Sequence, residues 1–502
     1  MPCSYAKIII FFLCMLLPIA HSQLLLARPS DKKNNKNTKT PETDTEHYVR
    51  NTVPPYIAGY KDYVAFRIPT LLVDEEWIYT FAQGRKTSYE DFTGPQHIVF
   101  RRSADRGKTW EEMKILAKGK KGYKCGPMSP VLLGKNRILL MWVEQADGDA
   151  ESKVFTIKSE DAGNTWSVPN EVTDQVKRKY DRPGKWFGVG PSSGLVKQHE
   201  PNVGRIYIVA SQSGVKINKE PQKFAPSHLI FSDNEGESWN VGKPMQIKSK
   251  EATLVELNNG NLMVNARNND LPHRVVGVSG NGGKSFNKYD GREEENPGKK
   301  LNDCGESGER KDKYKCGVHS GLLVYPDEGS SDRSFLIFSN PQGKKSERTV
   351  GTLQLSENSG KKWKSKTIRY TDDMKDNQQG YSGYSNLAFL NEGNHKGGSI
   401  AIIFERGGTS PEDYRKGRAL IENESWEINF NTFEDHEEKS LLERDEGPQA
   451  RHHMIDFKII PYAAFTNKKL RQSIEEPEKK LKTCVNMDSS KGIVQNGKCN
   501  FN

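Results

Sequence analysis

Three arginines invite a chemical reading before anything else in this sequence. Arg67 sits in Phe66-Arg67-Ile68-Pro69, a cation embedded in an apolar run; Arg274 follows shortly after Asn265-Ala266-Arg267; Arg348 comes shortly after Ser339-Asn340-Pro341. A lone arginine in such a setting is ordinarily a surface group at a strand end. Three in comparable settings, far apart in the chain, could be carried by separate structural units to one carboxylate, where bidentate forks fix orientation as well as charge. That chemistry needs an architecture that gathers distant strand ends around one point.

The sequence supplies a repeat suited to this. Ser103-Ala104-Asp105-Arg106-Gly107-Lys108-Thr109-Trp110 returns in variant form from Ser159 to Trp166, Ser232 to Trp239, Ser279 to Phe286 and Ser356 to Trp363. Each copy reads Ser-x-Asp/Asn-x-Gly-x-x-aromatic. The third residue can bond its own backbone, glycine supplies a positive φ, and the closing aromatic can pack between sheets. None of this is catalytic. The copies are unevenly spaced, which excludes a tight solenoid and suits one supersecondary unit with variable insertions, best met by a propeller of four-stranded blades.

The rest of the chain agrees with an all-β reading. From Tyr63 to about Phe433, short Val/Ile/Leu/Phe/Tyr runs such as Trp77 to Ala82, Arg137 to Val143 and Ser399 to Glu405 alternate with Gly, Asn, Asp and Pro clusters, with no sustained helical period. Asp290 to Lys315 reads as a charged surface insertion. A hydrophobic share of 34%, 28% charged residues and a formal net charge of +10 suit a soluble β-rich protein with polar extensions. Lys and Arg are scattered, and no nucleic-acid motif stands in its expected context.

The ends differ in character. Met1 to Ser22, with Lys7, an apolar run from Ile8 to Ala20 and small residues at Ala20 and Ser22, reads as a secretory signal peptide, its run too short for a comfortable membrane span. Residues 23–52 are polar and read as a disordered leader, and 434–502 as a C-terminal extension with charge runs and an apolar patch from Met454 to Phe465. Once Cys3 and Cys14 leave with the signal, an odd number of cysteines remains. Proximity suggests Cys304 with Cys316 and Cys484 with Cys499, leaving Cys125 free. Their spacing has no metal-site form. Asn423-Glu424-Ser425 is a glycosylation sequon.

The Phe-Arg-Ile-Pro stretch, the Asp-box turns after it and Tyr384-Ser385-Asn386-Leu387 late in the chain together resemble the exo-sialidase family, specifically its animal branch. The resemblance covers roughly Tyr63 to Phe433 with motif order preserved. It implies a six-bladed β-propeller over residues 53–433, a blade count that five turns alone do not fix, with the substrate pocket at its centre.

It also implies roles. Arg67, Arg274 and Arg348 match the triad that clamps a sialic acid carboxylate; Tyr384 matches the nucleophile, Glu256 its general base, and Glu405 the acid that orients the first arginine. Arg85 matches a substrate-binding arginine and Asp91 the acid/base, with Glu90 adjacent. A carboxylate nucleophile would meet repulsion from the acid group on the anomeric carbon, and a neutral tyrosine avoids it. A phenol titrates near pH 10, hence the adjacent carboxylate. The implied activity is retaining hydrolysis of terminal sialic acids from glycoproteins, glycolipids or oligosaccharides without a cofactor, in the secretory pathway or outside the cell. Transfer of the sugar to another hydroxyl, and an inactive sialic-acid-binding propeller, are the alternatives. Three positions depart from the family pattern: Gln83 and Gly126 stand where relatives carry acidic or amide side chains, and Ser211 to Ser213 where animal relatives place tyrosines.

Overall fold

The strand-and-turn punctuation becomes six antiparallel sheets arranged as the blades of a β-propeller. The computed structural model describes residues 52–88, 91, 94–120, 122–146, 152–177, 186–214, 216–217, 220–221, 225–268, 271, 273–287, 301, 317–326, 333–342, 348, 350–364, 367–371, 382–391, 398–406 and 454–465. These all fall in one compact unit spanning Thr43–Asn502. The expected signal peptide, nearly all of the expected leader, Glu90, the sequon at Asn423 and the two suggested cysteine pairs lie outside the described residues.

The first blade runs outward from Ala65–Val73 through Ile78–Arg85 and Gln96–Ser103 to Lys114–Ala117. The second follows the same plan with Tyr123–Gly134, Arg137–Ala146, Lys153–Ser159 and Asn170–Glu171. In the third the inner position is split between Phe187–Val189 and Leu195–Val196, both paired with Ile206–Gln212, followed by Ser227–Ser232 and Asn240–Val241. The fourth holds Lys250–Glu256, Leu262–Arg267 and Val275–Ser279; the fifth Leu322–Tyr325, Phe335–Pro341, Gly351–Ser356 and Ile368–Arg369.

The sixth blade closes the ring. Ser382–Leu390 and Ser399–Arg406 are continued by Met454–Pro461, and Tyr56–Ile57 from the start of the folded chain adds the outer strand. The expected propeller limit at Phe433 is therefore corrected: Met454–Pro461 pairs along its whole length with Ser399–Arg406, so the apolar patch read as part of an extension is a blade strand. Its residues alternate poorly because both faces are covered, as expected of a strand buried inside a propeller.

Each Asp-box turn follows the third strand of one of the first five blades. In the first copy Gly107 N–H donates to Ser103 Oγ at 2.8 Å and Thr109 N–H to Asp105 Oδ1 at 2.9 Å, with Gly107 at φ 77°. The closing aromatic reaches the preceding blade: Trp110 meets Phe457 edge-on at 5.4 Å and Trp166 meets Phe100 at 5.6 Å. Six apolar clusters among the described residues each span one junction between neighbouring blades, so the core is a ring of interfaces. Burying apolar side chains there is worth roughly 1.5–3 kcal/mol each.

Candidate active site

The inner strands converge on an open cleft walled by residues of the first, second, third, fourth and sixth blades. Near the cleft the regular ladder breaks down. Register shifts fall between Arg67 and Thr70, Cys125 and Met128, Lys250 and Ala252, and Ser382 and Ser385. Bulges re-aim side chains that a regular strand would send into the blade interfaces. Ile68 and Glu251 take positive φ angles of 57° and 48°, strained backbone that persists only where surroundings over-determine it.

Arg67 and Tyr384, from the first and sixth blades, share one brace. Fully buried Glu405 accepts from Arg67 Nε at 3.2 Å, from Ile68 N–H at 3.0 Å and from Tyr384 N–H at 3.1 Å. One carboxylate thus fixes the arginine's fork and the backbone carrying the tyrosine. Arg67 also donates to Asp91 Oδ1 at 2.9 Å, and Arg85 to the same oxygen at 2.5 Å. The cleft strips part of the water from the Asp91 carboxyl, whose side chain stays 55% exposed, but the two guanidiniums outweigh this and hold it below the usual range. Burial, then the neighbouring Arg67 charge, lowers Arg85 to about 10.

The fourth blade supplies the groups at the tyrosine hydroxyl. Arg267, the last residue of Leu262–Arg267, donates to Tyr384 Oη at 3.2 Å and pairs with the Glu251 carboxylate. Arg267 thus links the Tyr384 hydroxyl to the Glu251 carboxylate, and the two groups lie close enough to shift each other's titration. Burial, then the Glu251 charge, raises the Tyr384 phenol well above its ordinary value. Burial works against Glu251 ionising, yet Arg267 and Lys250 bring its carboxyl down to about 2. The pair at rest is therefore neutral phenol beside carboxylate. The Arg67 and Arg348 guanidiniums lie 5.5 and 5.8 Å from the centroid of the Tyr384 ring, so arginines of three blades surround it.

Two expected site positions lie elsewhere. Glu256 stands at the far end of the inner strand Lys250–Glu256, about 16 Å from Glu251 at roughly 3.3 Å per residue. There it accepts from Lys197 Nζ at 2.8 Å, Gln198 N–H at 2.7 Å and His199 N–H at 2.9 Å. Arg274 precedes the third strand of its blade, one strand farther from the centre than Arg267. It is fully buried, donating to Asn265 Oδ1 at 2.7 Å and Val318 O at 2.6 Å. Glu251 and Arg267 take the places by the tyrosine that the sequence reading gave to Glu256 and Arg274. The available signal was a charge at the cleft end of an apolar strand, the pattern of Arg67 repeated in Asn265-Ala266-Arg267.

The opposite wall is uncharged. Gln83 Oε1 accepts from Arg85 Nη2 at 2.8 Å, and its Nε2 donates to Gln96 and to Cys125 O. A Cβ on Gly126, already at φ 122°, would stand 2.7 Å from Gln83 Nε2, so glycine is what lets the two strands meet. Ser211 bonds Ser227 inside its sheet, while Ser213 Oγ donates to Trp186 O and accepts from its N–H, presenting Trp186 to the cleft. Cys125 is buried and free, its thiol pushed up to about 12 by burial.

With this geometry in view, the chain compares with known proteins as follows. A family model described as a BNR repeat-like domain matches residues 80–395. A sialidase of Bacteroides fragilis is 25% identical over 350 residues, covering 65% of this chain and 58% of the relative. A sialidase of Micromonospora viridifaciens is 26% identical over 375 residues, covering 70% and 51%. The chain thus spans little more than half the length of these curated relatives. Mammalian sialidases also match, so the likeness is broader than the animal branch. Among solved structures, Hadza microbial sialidase Hz136 superposes with a TM-score of 0.54 at 22% identity, covering 70% of this chain and 65% of that one, a likeness of fold. The Asp-box turns, the six blades and the extent of the family match lead to one conclusion: this chain belongs to the BNR repeat-like domain family.

Proposed function

We propose that the protein is a retaining exo-sialidase of the secretory route, hydrolysing terminal sialic acids from glycans with Tyr384 as nucleophile. The observation that carries this reading is the convergence of Arg67, Arg267 and Arg348 on Tyr384, whose hydroxyl Arg267 links to the Glu251 carboxylate. Four arginines, counting Arg85, face three carboxylates, Asp91, Glu251 and Glu405. The cleft has a surplus cation to offer a substrate carboxylate. The sialidase names of the curated relatives support the same chemistry.

In this mechanism Arg67, Arg267 and Arg348 bind the substrate carboxylate and turn the anomeric carbon towards Tyr384 Oη. The phenol attacks that carbon as its proton passes to Glu251, and the bond to the leaving oxygen breaks as Asp91 protonates it. Arg267 stabilises the phenolic oxygen while its proton is in transit. A substrate carboxylate competes with Asp91 for Arg67 and adds negative charge beside it, which raises the Asp91 pKa and lets it carry the proton. Water then attacks the same carbon with Asp91 as base, Glu251 returns the proton to Tyr384, and two inversions give net retention.

The test is hydrolysis of 4-methylumbelliferyl sialoside by the purified chain beside Tyr384→Phe, with NMR of the released sugar. Wild-type release of the α-anomer, and none above background by the variant, is expected. Release of the β-anomer would overturn retention, and unimpaired turnover by Tyr384→Phe would overturn the nucleophile.

A further inference from the structure

Between the fourth and fifth blades, Gly317 to Gly321 is a short irregular stretch tied residue by residue to its surroundings. Gly317 O accepts from Arg348 at 3.2 Å, Val318 O from Arg274 at 2.6 Å, Ser320 O from Thr253 at 2.5 Å, and Gly321 N–H donates to Ser339 Oγ at 3.1 Å. Arg274, missing from the cleft, is thus one of the anchors of this stretch.

The central residue of the stretch is His319, and it is fully buried. Its Nδ1 lies 3.3 Å from Glu251 O; a carbonyl oxygen only accepts, so Nδ1 carries the proton. Its ring packs on that of Tyr384 with centroids 5.9 Å apart at 56°. Among the described residues Nε2 has no hydrogen-bond partner, and the ring is held through Nδ1 and packing. Glu251 is the extra residue of the bulge between Lys250 and Ala252, at a left-handed φ of 48°, and has no partner in the ladder. Its carbonyl, turned out of the sheet, is the group His319 satisfies.

We infer that His319 is a positioning residue: its Nδ1–H on the Glu251 carbonyl and its ring on Tyr384 fix base and nucleophile relative to one another. This rests on the reading of Tyr384 and Glu251 as the reacting pair. Burial, then Arg274, lowers the imidazole to about 3, so it stays neutral beside the pair and beside Arg267.

The test compares His319→Phe, which keeps a packed ring without the donor, with His319→Asn, whose amide nitrogen stands where Nδ1 stood. Tyr384 is followed by NMR of the chain labelled at tyrosine Cζ, its signal assigned with Tyr384→Phe. A misplaced reacting group costs on the order of 10²-fold in rate, so His319→Phe should lose about that much in kcat with KM little changed. His319→Asn should recover most of it, and the Tyr384 signal should move in the first variant and stay in the second. Wild-type kcat with an unmoved signal in His319→Phe, or no rescue by asparagine, overturns the inference. If His319→Phe does not fold, His319→Gln, with its amide at the Nε2 position, takes its place with the same outcomes. Absence of wild-type turnover would defeat the sialidase reading, while the tyrosine signal would still decide the positioning.

Discussion

The inner strand Lys250–Glu256 carries a glutamate near each end, and the two live in opposite worlds. Glu251 sits in a bulge at the cleft end, strained, paired with Arg267, which donates to Tyr384, and unpaired in the ladder. Glu256 closes the other end in register with Leu262, gathering Lys197, Gln198 and His199 around it. The fully buried Lys197 ammonium also donates to His199 O and Gly260 O, so all three of its donors are used. One strand therefore carries an end that faces the cleft, where the proposed base lies, and an anchoring end. The difference teaches that a carboxylate's role here follows from what the neighbouring blade brings to it, not from its strand.

The contrast breaks most sharply in rate. Glu251→Gln should lower kcat on a fluorogenic sialoside by about 10²–10⁴-fold, the usual worth of a positioned base, while Glu256→Gln leaves kcat per folded molecule unchanged. A reversal of those two outcomes would return the base to Glu256. Next comes stability: Glu256→Ala strands the Lys197 charge in the interior and should cost about 3–5 kcal/mol in urea unfolding, with an unchanged KM for the folded fraction. A loss well under that figure would mean Lys197 finds water or another acceptor.

Acid unfolding separates the two ends further. The Glu251 carboxyl is held at about 2, below its ordinary 4.5, so its stabilisation is complete above about pH 4.5 and drains away as pH falls towards 2. Wild type should lose on the order of 3 kcal/mol more than Glu251→Gln across that window, and parallel curves would show that the cleft does not depress this group. The smallest effect belongs to the turns. Gly107→Ala places a Cβ 2.7 Å from the Phe457 ring at φ +77° and should cost about 1–3 kcal/mol without changing kcat. A neutral result would mean the first and sixth blades can separate there at no cost.

What the sequence could show follows the reach of the interactions involved. The Asp-box turns were legible because their hydrogen bonds close within four residues, Ser to Gly and Asp to Thr, and their aromatics follow at fixed spacing. Arg67 and Tyr384 were legible through the resemblance of the short stretches around them, Phe66-Arg67-Ile68-Pro69 and Tyr384-Ser385-Asn386-Leu387. The sequence by itself thus determined an all-β chain of repeated blades and several residues that face the cleft. Only the tertiary structure decided between Glu251 and Glu256, between Arg267 and Arg274, and brought Met454–Pro461 into the last blade. Those choices depend on a one-residue bulge that shifts register, on how many strands separate a side chain from the centre, and on pairing between segments distant in sequence. A local pattern, such as the charge that ends Asn265-Ala266-Arg267, can nominate a residue but not decide among these choices, because each is fixed by a partner on another strand or another blade.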